Sequence, residues 1–355
     1  MSRFFSPKFS DLTPYVPGEQ PQDQQYTKLN TNESPFPPSP KVIEAMRDAG
    51  AKANLYNDPT CRALCEAIAG VYGVAPTRVH PVNGSDEILN FAIMAFCDED
   101  HPLAYADITY GCYPVFAEFN RVPSHIIPLN EDFTVDYKAY CGLNETIVIA
   151  NPNAPTGMVM PKWQIEEILR TNPDNVVIID EAYVAFGAES CVDLVDKYDN
   201  LLVAHTFSKS HSLAGARLGF GIAQEPILAD INTIKYSTNP YNVNRMAQAA
   251  GVAAMADNEY YLANCRIIQQ NRAYTTAVLE AMGFTVLPSF ANFIFAKSDR
   301  MEGGALYEEL KRRGVLVRHF NKERISDYLR ISIGTMEQME VFLNTTREIL
   351  DEKGE

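Results

Sequence analysis

The stretch NLLVAHTFSKSHSLAGARLGFG, residues 200–221, decides how the chain is read. Its first part, LLVAHTF, is a short apolar run rich in β-formers that ends abruptly at Ser208 and Lys209. A lysine is ordinarily solvated, and a solvated lysine face usually carries acidic residues; SLAGARLGFG offers none. Thr206, Ser208 and Arg217 instead supply the donors of a phosphate clamp beside an amine. Gly215, Gly219 and Gly221 lack the spacing of a G-x-G-x-x-G nucleotide fingerprint.

Runs of the same kind precede it: PLAYAD, SHIIPL, ETIVIANP and NVVIIDEAY. Between and before them lie segments with apolar residues at helical spacing, such as KVIEAMRDAGAK and CRALCEAIAGVYG. PTRVHPVNGSDEILNFAIMAFC reads as a short strand, a turn at Asn83 and Gly84, and a helix opening at Ser85 and Asp86. Buried strands alternating with helices predict an α/β fold with a mostly parallel sheet covered on both faces.

Three units are expected: a Pro- and Gln-rich surface arm over 1–40, a large domain over 41–240 and a small α+β domain over 241–355. In the last, residues 241–283 read as nearly continuous helix, followed by strand-like TVLPSFANFIFAK, GVLVRHF and DYLRISIG. The formal net charge of −15 argues against nucleic acid and anionic membranes as partners. Seven scattered cysteines without a C-x-x-C pair point to a reduced, cytoplasmic setting and to no metal site. No apolar run has signal-peptide or membrane-spanning length.

Candidate chemistry gathers at the strand ends, where open α/β sheets bind ligands. Gly84, Ser85 and Asp86 form a turn entering a helix, whose free N–H groups suit a phosphate. Asp180 and Tyr183 follow four apolar residues, and a carboxylate so placed requires a partner. An amine, a carboxylate, a phenol and a phosphate nest together describe the needs of pyridoxal 5′-phosphate. That cofactor takes a lysine on its aldehyde and an acid against its ring nitrogen.

With these motifs, the chain resembles the fold-type I pyridoxal-phosphate aminotransferases, over nearly its whole length. The matching stretches include LNTNESPF, LYND, NGSDE, TYGCYP, NPNAPTG, DEAYVAF, TFSKSHSLAGARLG and YLRISIGT. TPYVPGE, SKSHSLAGARLG and NPYNVNRMAQ make it similar to the branch acting on histidinol phosphate. The resemblance implies that Lys209 holds the cofactor and moves the proton between substrate Cα and cofactor C4′. It implies further that Asp180 pairs with the ring nitrogen, Tyr183 bonds the ring hydroxyl and Tyr110 stacks on the ring. Ser85, Asp86, Thr206, Ser208 and Arg217 would hold the phosphate. Tyr56 would reach the phosphate of a neighbouring subunit's cofactor, which requires a homodimer. Arg330 would grip the substrate α-carboxylate, and Arg318 with Tyr15 and Tyr241 the substrate phosphate. The family motif carries an asparagine where NPNAPTG has Ala154, and Asn153 is the candidate replacement. Amino donors and keto acids are the expected substrates, glutamate and imidazole-acetol phosphate foremost. Aromatic amino acids, or decarboxylation of a phosphorylated amino acid, are alternatives on the same cofactor.

Overall fold

The computed structural model describes residues 2–353. Residues up to 26 cross the surface with one short turn of 3-10 helix, and β1 (Thr27–Lys28) follows. Thereafter the chain goes inside: Leu29, Asn30 and Asn32 are buried, so the expected surface arm ends well before residue 40. Helix α1 (Pro40–Gly50) and α2 (Arg62–Tyr72) come next. α2 buries Leu64, Cys65, Ile68 and Ala69, a stripe at helical spacing.

A seven-stranded sheet forms the central layer. Its strands are β2 (Val79–Val82), β3 (Leu103–Ala106), β4 (Ser124–Ile127), β5 (Thr146–Ala150), β6 (Val177–Asp180), β7 (Leu201–Thr206) and β8 (Gly219–Ala223). They lie in the order β2-β8-β7-β6-β5-β3-β4, and only β8 runs antiparallel to its neighbours. Every residue of β5, β6 and β7 is buried. Unbroken apolar runs, rather than alternating ones, are what a sheet covered on both faces demands. Helices α3 (Ser85–Phe96), α4 (Cys112–Asn120) and α5 (Lys162–Thr171) connect strands, and α6 (Glu225–Thr238) follows β8.

Strand β8 was not among the expected strands, because its GFGIA sequence reads as part of the glycine-containing clamp. The glycine has a packing reason: a Cβ at Gly219 would lie 2.5 Å from the Ser85 amide nitrogen. The strand therefore presses its backbone against the turn that opens α3.

The expected continuous helix breaks at Asp257 into α7 (Arg245–Ala256) and α8 (Asn258–Ala281). α7 packs Ala247, Ala250, Ala254 and Met255 into the same core as α1 and α2. The change of core falls inside α8, between Tyr261 and Cys265, rather than at 240. Beyond it stand β9 (Phe284–Val286), β10 (Phe293–Ser298), α9 (Gly303–Arg312), β11 (Val315–Leu316), β12 (Arg318–His319), β13 (Tyr328–Ser332) and α10 (Met336–Lys353). β12, β13, β10 and β9 form an antiparallel sheet in that order, and β11 pairs with β1. Two expected strands are thus each divided: Pro288 and its neighbours turn the chain between β9 and β10, and Val317 separates β11 from β12.

Candidate active site

Side chains from the carboxyl ends of β2, β3, β5, β6 and β7 converge on a cavity of about 390 Å³, lined among others by Ser85, Tyr110, Ala154, Asp180 and Lys209. A second cavity of about 460 Å³ continues it toward the small antiparallel sheet, lined by Tyr15, Arg318 and Arg330. Thr31, Tyr110, Ala154, Tyr183 and Lys209 line both, so the amine stands at the junction. Lys209 Nζ donates to the Thr31 carbonyl at 3.2 Å and lies 5.8 Å from the centre of the Tyr183 ring.

Asp180 ends β6 and is only 5% exposed. Its Oδ2 accepts from the Tyr113 hydroxyl at 2.9 Å, and its Oδ1 from the Ala182 amide at 3.2 Å. Burial nevertheless dominates and lifts the carboxyl from 3.8 to about 6, outweighing these two bonds and the charge of Lys209. The next residue, Glu181, serves elsewhere: the Ser190 hydroxyl and Cys191 amide donate to its carboxylate at 2.6 Å. Successive side chains of an extended chain face opposite ways, so only the first of the two acids reaches the cavity. Tyr113, wholly buried, was not picked out from the sequence. The available signal was a second phenol three residues after Tyr110 at the start of α4.

The other end of the cavity is made of donors. Gly84, at φ +83°, precedes α3, where a Cβ would fall 2.6 Å from Arg217 Nη2. Ser85, Thr206, Ser208 and Arg217 line the same space. Thr206 Oγ1 also accepts from the Ser208 amide at 3.1 Å, which shapes the turn carrying Lys209. Asp86 contributes its position in the first helical turn rather than its charge. Its carboxylate accepts from the Tyr110 hydroxyl at 2.8 Å and from Arg217 at 3.1 Å, fixing both.

In the second cavity, Arg318 and Arg330 stand directly opposite each other across β12 and β13. Arg318 donates to the carbonyls of Val16 and Pro17, and Arg330 to that of Asn30 at 2.8 Å. Burial, with Arg318 adding to it, holds the Arg330 guanidinium below its usual range. Like charges placed opposite across a strand pair are unfavourable, and carbonyls offset them only in part. Tyr15 approaches from the opening segment, its ring 6.2 Å from that of Tyr110.

Three expected site residues are placed otherwise. Asn153 is buried, and its amide is consumed by its own loop and the one after β3: Nδ2 donates to Ile108 O and Thr156 Oγ1, while Oδ1 accepts from Thr109 Oγ1. It does not replace the family asparagine; the apolar Ala154 lines the cavity instead. Tyr241 is not brought to Arg318. It stacks on Tyr56 with ring centres 4.5 Å apart and lines neither cavity. Tyr56 is 80% exposed and lines neither cavity of its own chain.

The model of the class I and II aminotransferases matches residues 24–345. The chain is 46% identical over 350 residues to a histidinol-phosphate aminotransferase of Acinetobacter baumannii, covering 98% of this chain and 97% of that one. It is 44% identical over 354 residues to histidinol-phosphate aminotransferase 2 of Dechloromonas aromatica, covering 98% and 99%. Its fold matches that of the Sinorhizobium meliloti histidinol-phosphate aminotransferase, solved with pyridoxal 5′-phosphate, with a TM-score of 0.89, 23% identity and 99% of each chain covered. With the lysine, the buried acid and the donor-lined turn in one cavity, the chain belongs to the class I and II aminotransferase family.

Proposed function

We propose that this chain is a pyridoxal-phosphate-dependent aminotransferase that moves an amino group between glutamate and imidazole-acetol phosphate, yielding histidinol phosphate. The residues present fit the cofactor. Asp180 is a desolvated carboxyl with a raised pKa, and a protonated pyridine nitrogen would stabilise its ionised form. Ser85, Ser208 and Arg217 frame a space that a side chain at Gly84 would obstruct, and Lys209 lines it within reach of Tyr183.

When bound, the cofactor supplies an electron sink for the pair released at the substrate Cα. Lys209 Nζ would anchor it and serve as the base and acid that moves the substrate Cα proton. Asp180 keeps the ring nitrogen protonated, held in place by Tyr113 and the Ala182 amide. Tyr183 donates to the ring hydroxyl, and Tyr110, anchored through Asp86, covers the ring. The donors at Ser85, Thr206, Ser208 and Arg217 hold the phosphate.

The observation that carries the substrate reading is the cross-strand pair Arg318 and Arg330, two cations held by carbonyls at one cavity wall. Histidinol phosphate bears a dianion next to the reacting carbon and glutamate a carboxylate. Either relieves the repulsion, the dianion more. Replacing Arg318 with alanine is expected to raise the KM for histidinol phosphate by roughly ten- to a hundredfold, the loss of one charge-assisted bond of about 1.5–3 kcal/mol. The KM for glutamate should rise less. Equal losses for both substrates would give Arg318 a structural role and remove this support.

A second copy completes the site in this reading. Tyr56, stacked on the 42%-exposed Tyr241, forms an aromatic surface, and Tyr56 reaches the cofactor phosphate of the partner in a homodimer.

A further inference from the structure

Ala154 leaves the cofactor's ring hydroxyl without the amide that the family motif provides, which puts the whole task on Tyr183. The phenol oxygen of Tyr183 is 3.1 Å from Asn32 Nδ2. Asn32 is 1% exposed and sits at φ +56°. Its backbone N–H donates to Ser332 Oγ at 2.8 Å, and the Ser332 hydroxyl donates in turn to Asn32 Oδ1 at 2.8 Å.

With the Asn32 amide turned so that Nδ2 faces Tyr183, each hydrogen has a direction. The backbone N–H can only donate, so Ser332 accepts there and keeps its own hydrogen for Oδ1. An amide oxygen so occupied places the NH₂ group against Tyr183, and that group can only donate. The Tyr183 oxygen therefore accepts from Asn32, and the single phenol hydrogen remains available for another acceptor. Tyr183 lines the cavity with Lys209 and Asp180, where the ring hydroxyl would lie. The arrangement is anchored from the small sheet: Asn292 Nδ2 donates to the Asn32 carbonyl at 2.9 Å, and the Ser332 amide to the Leu29 carbonyl at 2.9 Å.

We propose that Ser332 and Asn32 are positioning residues that set Tyr183 as a one-way hydrogen donor to the cofactor's ring hydroxyl, making up for the amide absent at Ala154. The proposal rests on the cofactor reading above. A donor on the ring oxygen stabilises its negative charge and weakens its hold on the proton of the adjacent lysine nitrogen. Weakening that donor should therefore raise the pH at which the visible band of the lysine-bound cofactor changes.

The experiment is a pH titration of that band in the cofactor-loaded protein. Asn32→Ala is expected to move the midpoint up by about one to two pH units. Asn32→Asp, which accepts the phenol hydrogen instead of donating, should move it at least as far. Tyr183→Phe should give the full shift, and Asn32→Ala added to Tyr183→Phe nothing more, since residues acting through one contact are not additive. Ala154→Asn should bring the Asn32→Ala midpoint back toward wild type. Ser332→Ala, the smallest change, gives the same reading if the Asn32 variants do not fold. An unmoved midpoint in folded Asn32→Ala or Ser332→Ala, or a full additional shift in the Tyr183→Phe background, overturns the relay. A wild-type protein with no such band would sink the cofactor reading itself, a separate result.

Discussion

Replacing Asp180 with asparagine should stabilise the cofactor-free protein, increasingly so as pH rises, while abolishing transamination. Asparagine keeps the size of aspartate and an oxygen to accept from Tyr113, but it never ionises. In the folded chain the Asp180 carboxyl titrates near 6 instead of 3.8, raised by burial. Its folded-state pKa is raised, so the folded protein holds the proton more tightly than the unfolded chain. Ionisation therefore costs stability as pH climbs from the lower value to the higher, and the cost is constant above. Linkage puts it on the order of 1–2 kcal/mol near pH 5 and about 3 kcal/mol near pH 8. The gain of Asp180→Asn over wild type should thus grow by roughly 1 kcal/mol across that interval. Urea unfolding of both cofactor-free proteins at the two pH values measures it, and other titrating groups cancel in the difference. A gain that stays flat, or shrinks with pH, would mean that the carboxylate is compensated in the cavity and that no protonated ring nitrogen is needed opposite it. In the loaded enzyme the same substitution should cost several orders of magnitude in kcat, since an amide cannot hold the ring proton.

Tyr113→Phe removes a donor that favours the ionised form of Asp180, so the acid limb of the kcat profile should move up by about one pH unit; a lower rate with an unmoved limb would make Tyr113 merely structural. Lys209→Ala and Tyr56→Phe should each cripple the enzyme alone, yet mixing the two should restore activity in hybrid dimers, one site of which holds both Lys209 and the partner's Tyr56. Hybrids without recovery would confine Tyr56 to a role in its own chain.

The cofactor end of the site was legible in the sequence because its chemistry is local. Each strand announces itself as an apolar run, and the residue that ends it, Asp180 or Lys209, is conspicuous by contrast. What stayed hidden depends on contacts far apart along the chain. Asn32 looks like part of a polar surface arm, and only its bonds to Ser332 and Tyr183 reveal it as an interior residue. Asn153 looked available because an amide in a loop usually is; Thr109 and Ile108, more than forty positions earlier, consume it. Strand β8 was missed because the close approach of Gly219 to Ser85 requires a residue with poor strand preference.

A chain of net charge −15 that handles anionic substrates and an anionic cofactor needs its favourable field at short range. At physiological ionic strength screening acts over about 8 Å, so the distant acidic surface is felt weakly inside the cavity. The local order of charges decides instead. Arg318 and Arg330 sit at one end, Arg217 at the other, and the buried acid Asp180 lies between them beside Lys209. An anion entering from the small sheet meets the arginine pair at that wall, and the carboxylates on the phosphate side are already engaged, Asp86 with Tyr110 and Arg217 and Glu33 with Lys28. In the proposed reading the same order of charges would orient a substrate: its anion would be drawn to the arginine pair, leaving the reacting carbon at the junction of the two cavities, where Lys209 stands. On that reading, two opposed cations would favour a phosphorylated substrate, where a single carboxylate would need only one.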